Sequence, residues 1–179
     1  MNEQLDQYAF IETDFMDEHV NKFSHPVGNF LIIFSYLEYA LDKLISEIIN
    51  SRSDLIGYIV TSEMSMANKI DLLERFVNLG KHHGLKWPHD INVIIKKLKS
   101  INKFRNRIAH ANWSSMRHNG ITRVKTKVDQ DNGVYFENFN LSLKAIHSAQ
   151  LELDSTIKLI SSIELETECK YLRQTTCYS

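Results

Sequence analysis

Side chains suited to phosphate chemistry lie close together in residues 103–113, KFRNRIAHANW. Arg105, Asn106 and His110 bring a guanidinium, an amide and an imidazole into this segment. On a helix with ~100° per residue, Asn106 and His110 are four residues apart and share a face. Arg105 falls instead within the apolar stripe of the predicted helix. That stripe consists of Ile91, Ile94, Ile95, Leu98 and Ala109. A charge on an apolar face must be paired when it is buried, and such exceptions are expected at functional sites.

The three side chains together suit the cleavage of RNA without a metal ion. Histidine acts as a general acid or base near neutral pH, and the arginine fork stabilises the extra negative charge of a phosphorane. Asn106 would orient a hydroxyl, a phosphate oxygen or the imidazole. The ribose 2′-hydroxyl would attack the adjacent phosphorus. Because one histidine does not easily serve both sides of a phosphate, we expect a symmetric dimer that supplies two.

A structural interpretation of the same residues stays open. Arg105 is then only an ion-pair partner, and Glu38 on the long helix predicted before it is the candidate carboxylate. His110 is then a helix-end residue that bonds to a carbonyl oxygen. Periodicity does not separate these roles from catalysis.

Positive charge is concentrated in residues 91–128. This window holds ten of the 21 Lys and Arg residues and none of the 22 Asp and Glu residues. Such segregation is the electrostatic pattern of a protein that binds a phosphate backbone, and the alternative is a solvated basic face. The predicted RNA-binding residues are Lys99, Lys103, Arg107, Arg123, Lys125 and Lys127.

Hydrophobic periodicity predicts a mainly α-helical chain of about five helices. An acidic helix in residues 1–22 would be interrupted at Ser24-His25-Pro26, since proline removes a backbone donor. A long helix follows over 27–50, then a short and a longer helix within 54–82, and a helix over 91–111. Residues 121–128 alternate strictly and 134–139 would pair with them, with Asp131-Asn132-Gly133 as the turn. The hairpin over 121–139 precedes a last helix over 141–168, and 169–179 would be a frayed tail.

Composition indicates one globular domain over residues 1–179. With 6 Gly and 2 Pro, the chain fits neither a turn-rich β-fold nor a disordered class. No apolar run approaches a membrane span, and two cysteines without a motif indicate a reduced, cytoplasmic protein. His82, His83, His89 and Asp90 match no reliable ligand spacing, so we expect no metal site and no cofactor.

The pattern Arg105-Asn106-x-x-x-His110 resembles the R-X4–6-H signature of the HEPN superfamily (higher eukaryotes and prokaryotes nucleotide-binding domains). The polar residue directly after the arginine also fits, and residues 34–38 (FSYLE) resemble part of the family's first core helix. The resemblance covers roughly residues 25–165. Some toxin members carry a tyrosine two residues after the histidine, where this chain has Asn112.

The resemblance implies a HEPN-like helical bundle, spanning 27–168, in which Arg105, Asn106 and His110 line a cleft shared by two protomers. Many members are metal-independent endoribonucleases that act as toxins or in antiviral defence. The implied partners are RNA, a second copy of the chain and an antitoxin or other regulatory protein. A HEPN-like module that binds RNA, a nucleotide or a partner protein without catalysis is the main alternative, and a purely structural helical dimer is a third.

Overall fold

The computed structural model describes residues 16–50, 53–84, 87, 91–110, 115–117, 120–129 and 133–163. This part of the chain contains five helices and three strands, so the prediction of a mainly helical fold is confirmed. In chain order the elements are α1 (Met16–Ile49), α2 (Asp54–Thr61), α3 (Met66–His82), α4 (Ile91–Ala109), β1 (Ser115–Arg117), β2 (Gly120–Asp129), β3 (Gly133–Leu141) and α5 (Leu143–Ser161).

The first helix runs through Pro26 without a break, so the predicted interruption at residues 24–26 is wrong. Phe23 and Phe30, one on each side of the proline, are both buried, and their packing holds the helix continuous. Gln150 Nε2 also donates a hydrogen bond to the Pro26 carbonyl oxygen at 3.2 Å. Tertiary packing therefore outweighs the lost backbone donor. Residues 1–15 of the predicted acidic helix lie outside the described residues.

Serine residues cap the first turns of α2 and α3. The Ser53 hydroxyl accepts a hydrogen bond from the Leu55 N–H at the start of α2, and Ser65 accepts one from the Asn68 N–H at the start of α3. These bonds satisfy backbone donors that the helix itself leaves unpaired. At the other end of α3, Gly84 has a φ of 74°, a left-handed conformation that favours glycine.

The chain divides into two compact units, and each of α1, α4 and α5 contributes a segment to both. The first unit comprises Met1–Ile32 and Phe104–Leu151, and the second comprises Ile33–Lys103 and Glu152–Ser179. The prediction of a single domain stays a prediction.

The first unit contains the three strands. They pair antiparallel in the order β1-β2-β3, and β2 and β3 are in register from Ile121 opposite Leu141 to Asp129 opposite Gly133. The sequence pattern did not indicate β1. The predicted turn residues Asp131 and Asn132 lie outside the described residues.

The second unit is built on apolar faces of α1, α3, α4 and α5. Its most deeply buried side chains include Phe34, Leu37, Leu41, Ile45, Ile70, Leu73, Val77, Ile94, Leu98, Ile101 and Leu153. An ion pair is buried with them: Lys69 Nζ lies 2.8 Å from Asp42, and their side chains are 9% and 19% exposed. Because isolated buried charges are unfavourable, this pair fixes α3 against α1 in one arrangement.

Ala109, which the sequence analysis placed in the apolar stripe of α4, is exposed at the end of that helix. Leu79 of α3 and Leu143 and Leu151 of α5 are also exposed. The last helix ends at Ser161 rather than at 168, and residues 164–179 are outside the described part.

Candidate active site

The fourth helix carries Arg105 and Asn106 near its end, and His110 follows its last residue. Its buried side chains are Ile91, Ile94, Ile95, Leu98, Ile101 and Ile108. At the helical period, Arg105 occupies the middle of this stripe, between Ile101 and Ile108. The apolar stripe therefore runs through the arginine position.

The Arg105 side chain is half-buried, and its Nε atom is buried completely. Its Nη1 atom donates a hydrogen bond to Asn106 Oδ1 at 3.1 Å. Because that oxygen accepts from Arg105, the Asn106 amide group retains its N–H donors for a ligand. The guanidinium and the amide thus form one polar group at the end of α4.

An aromatic contact anchors this end of the helix. Phe104 packs edge-to-face against Phe30 of α1, with ring centroids 5.3 Å apart and an interplanar angle of 74°. Both residues belong to the first unit, as do Arg105, Asn106 and His110. The neighbour of Arg105 is therefore held against a fully buried residue of α1, which limits movement of the backbone beneath the site.

His110 follows α4 directly and is exposed. Its backbone N–H donates to the Asn106 carbonyl oxygen at 3.2 Å, so the helical hydrogen-bond pattern continues to this residue. Asn106 is also exposed. The arrangement therefore combines a fixed guanidinium with an accessible amide and an accessible imidazole within two turns.

The predicted cations are not equivalent. Lys99 Nζ lies 2.7 Å from Glu74 Oε2, so a carboxylate already neutralises that charge. Lys103 is exposed and Arg107 is half-buried. The sequence pattern of α4 alone could not reveal the carboxylate, because Glu74 comes from α3.

The predicted basic row of the hairpin lies on β2. Arg123, Lys125 and Lys127 are in register with Phe139, Glu137 and Tyr135 of β3. An acidic residue is thus aligned with the middle of the basic row. Alternation within one strand did not show this alignment.

The sequence also suggested a carboxylate partner for Arg105 and a group of possible metal ligands. Glu38 is half-buried in α1, and its pairing with Arg105 stays a prediction. His82 and His83 are exposed at the end of α3, whereas His89 and Asp90 lie outside the described residues. Among the described residues no three His, Cys, Asp or Glu side chains are grouped to hold a metal ion.

The sequence analysis missed an exposed aliphatic surface on α2. Leu55, Ile56, Ile59 and Val60 are 67%, 51%, 67% and 43% exposed. The available signal was composition: residues 55–61 read LIGYIVT, with apolar residues on every side of a short helix. A helix that is apolar all round is normally buried.

Comparison with known proteins assigns no family. No protein-family model matches the chain, no curated protein matches it, and no solved structure matches it. Within the described residues, no helix combines the length and apolar character needed to cross a bilayer.

Proposed function

We propose that this chain is a metal-independent endoribonuclease of HEPN type, with Arg105, Asn106 and His110 as its catalytic residues. The observation that best supports this proposal is the position of Arg105. It lies within the buried stripe of α4, yet its Nη1 atom bonds to an exposed amide close to an exposed histidine. An arginine whose Nε atom is buried in an apolar stripe loses part of its hydration, so polar groups at the end of the helix must compensate for that loss.

The proposed reaction is an intramolecular transesterification at a phosphodiester of RNA. His110 accepts the proton of a ribose 2′-hydroxyl, and that oxygen attacks the adjacent phosphorus. The guanidinium of Arg105 stabilises the negative charge that develops on the phosphorane oxygens. The bond to the 5′-oxygen then breaks as that oxygen receives a proton. The products are a 2′,3′-cyclic phosphate and a 5′-hydroxyl, without water or metal as a reactant.

In this proposal a second copy of the chain completes the active site. Proton removal and proton donation occur on opposite sides of one phosphorus, and each chain offers one His110. A two-fold axis would supply the second histidine. Toxin or antiviral defence activity, with an antitoxin or another regulatory protein as partner, belongs to the same proposal.

Lys103, Arg107 and the basic residues of β2 would hold the RNA backbone. Lys99 would contribute less, because Glu74 already neutralises its charge. Binding through such cations weakens steeply with salt, since counterions are released from the phosphates.

The test is cleavage of total RNA and tRNA in excess EDTA, followed by analysis of the fragment ends. Wild-type protein should yield 2′,3′-cyclic phosphates, and His110→Ala should yield none while retaining its helix content. His83→Ala is the matched control, because His83 is also exposed and also directly follows a helix. Equal cleavage by wild type and His110→Ala would refute the mechanism.

Salt-sensitive RNA binding by wild type without any product would instead favour the binding module. Complete loss of cleavage in EDTA would indicate a metal-dependent nuclease.

A further inference from the structure

Exposed polar side chains form one continuous row along α4 and into the residue that follows it. The members of this row, at alternating steps of four and three residues, are Asn92, Lys96, Lys99, Lys103, Asn106 and His110, and all of them are exposed. Residues three and four positions apart lie on the same side of a helix. Asn106 and His110 of the candidate active site are therefore the last members of a longer row, here called the α4 row, that begins in the first turn of the helix.

The third helix lies beside the first half of the α4 row. Lys99 Nζ lies 2.7 Å from Glu74 Oε2, and Lys81 Nζ donates a hydrogen bond to Asn92 Oδ1 at 3.2 Å. The order of these contacts is reversed between the two helices, so α3 and α4 run antiparallel and stay adjacent over about two turns. Lys81 therefore adds a fourth lysine at the beginning of the α4 row, and its partner there is a neutral amide.

Negative charge is confined to one part of this surface. The carboxylates of α3 are Asp71 and Glu74, and the antiparallel order places both beside Lys99 and the later members of the α4 row. After Glu74, the remainder of α3 and all of α4 contain no Asp or Glu. Within the described part of the chain, neither Lys81 nor Lys96 forms an ion pair. Their charge is therefore available to an external anion.

The charge along the α4 row consequently falls into two groups. Lys99 lies between Lys96 and Lys103, and Glu74 neutralises it. Lys81 and Lys96 form one positive group at the beginning of the row, whereas Lys103 lies two turns further along, close to Asn106. An anionic strand that follows the row meets two separate groups of cations.

The first group is remote from the candidate catalytic residues. With a rise of about 1.5 Å per residue, Lys96 lies about 21 Å from His110 along the helix axis. A stacked nucleic-acid strand carries one phosphate per about 3.4 Å, so this distance corresponds to at most about six nucleotides. A strand that starts at His110 reaches Lys96 only when it is several nucleotides long.

We propose that Lys81 and Lys96 form a remote subsite that binds a phosphate of the RNA backbone on one side of the bond to be cleaved. This inference rests on the proposed function, which places the reacting phosphate at His110. Cations close to His110 act on every RNA substrate, whereas the remote subsite acts only on RNA that spans the distance. Binding energy gained away from the reacting atoms contributes to their orientation. The subsite therefore makes the enzyme selective for strand length.

Binding of 2′-O-methyl RNA tests the subsite without cleavage, because the methyl group blocks the attacking hydroxyl. Strands of mixed sequence are suitable, since backbone contacts carry no sequence information. Wild type should bind a dodecanucleotide more tightly than a trinucleotide. Lys96→Glu should weaken binding of the dodecanucleotide about tenfold and that of the trinucleotide less than about twofold. The slope of log affinity against log salt should fall by at least about 0.7, the value for one phosphate contact of a single strand.

The matched control is Lys158→Glu, because Lys158 is an exposed lysine on α5 and lies outside the α4 row. This variant makes the same change in net charge and should bind both strands like wild type. Lys81→Gln should weaken binding of the dodecanucleotide about threefold, since it removes the second cation of the subsite. Equal losses for the two strand lengths in Lys96→Glu, equal losses in Lys96→Glu and Lys158→Glu, or no binding of either strand by wild type overturns the proposal.

Cleavage of total RNA in excess EDTA separates the subsite from the proposed function. Lys96→Glu should slow cleavage about tenfold at limiting RNA concentration and leave the 2′,3′-cyclic phosphate ends unchanged. If wild type and Lys96→Glu cleave RNA at the same rate, the subsite is overturned and the proposed function stands. Length-dependent binding that requires Lys96, without any cleavage product from wild type, contradicts the proposed function and leaves the phosphate subsite intact.

Discussion

The second and fourth helices depart from the usual amphipathic pattern in opposite ways. In α4 the apolar face is inside, and one charged residue, Arg105, lies within it. In α2 four aliphatic residues are outside, and a glycine and a threonine are inside. The exception in α4 is one side chain in a regular stripe, whereas the exception in α2 is the orientation of a whole helix. The first places a charged side chain near the end of α4, and the second leaves four aliphatic side chains exposed on α2.

Replacing Arg105 tests the exception in α4 and should have the largest effect. Arg105→Lys keeps the charge but removes the planar fork, so we expect RNA cleavage to fall about 100- to 1,000-fold, or about 2.7–4 kcal/mol of transition-state stabilisation. Arg107→Lys is the matched control and should change the single-turnover rate less than about fivefold, since it contributes only charge. Equal losses in both variants would mean that Arg105 acts only as a general phosphate contact.

Replacing Gly57 tests the exception in α2. Gly57→Ala should destabilise the protein by about 2 kcal/mol, because the new methyl group overlaps Ser46 and forces α2 away from α1. Gly28→Ala is the control: no atom lies within 4 Å of its added Cβ, and alanine favours the helix by about 0.5–1 kcal/mol. Urea unfolding measures both changes. Unchanged stability in Gly57→Ala would disprove the fixed orientation of α2.

Removing the buried hydroxyl of α2 should have a smaller, favourable effect. Thr61→Val replaces a buried hydroxyl without a partner among the described residues, so we expect stability to rise by about 1 kcal/mol. Thr156→Val is the opposite case. Thr156 is also buried in a helix, but its hydroxyl donates to the Glu152 carbonyl at 2.7 Å, and its loss should cost about 1 kcal/mol. The melting temperature should therefore rise in Thr61→Val and fall in Thr156→Val. A change of the same sign in both variants would contradict this account.

The smallest change in stability is expected from an ion pair on the exposed side of α4. Glu74→Gln breaks the ion pair with Lys99, whose side chain is 48% exposed, and should change stability by less than about 0.5 kcal/mol. Under the proposed function it also releases one cation for RNA, so the slope of log affinity against log salt should steepen by about one. Fluorescence anisotropy titrations at several salt concentrations measure the slope. An unchanged slope would exclude Lys99 from the RNA path.

Hydrophobic periodicity predicted most of the helical structure. Apolar residues at three- and four-residue steps indicated the buried faces of α1, α3, α4 and α5, because those faces repeat with the helix. The interruption at Pro26 was wrong, since the propensity of one residue is outweighed by the burial of Phe23 and Phe30. The predicted end of α5 was also wrong, because the helix ends at Ser161.

The amino-acid pattern alone was enough to predict the mainly helical class, the position of Arg105 in an apolar stripe and the proximity of Asn106 and His110. These follow from spacing along one helix. The packing of separate helices was needed to show that Glu74 neutralises Lys99, that Asp42 pairs with Lys69 and that α2 faces outward. These contacts depend on which segments of the chain pack against each other. The orientation of α2 follows from the close approach of Gly57 to Ser46, where a Cβ atom would not fit. Hydrophobic periodicity along a single helix does not predict such a contact.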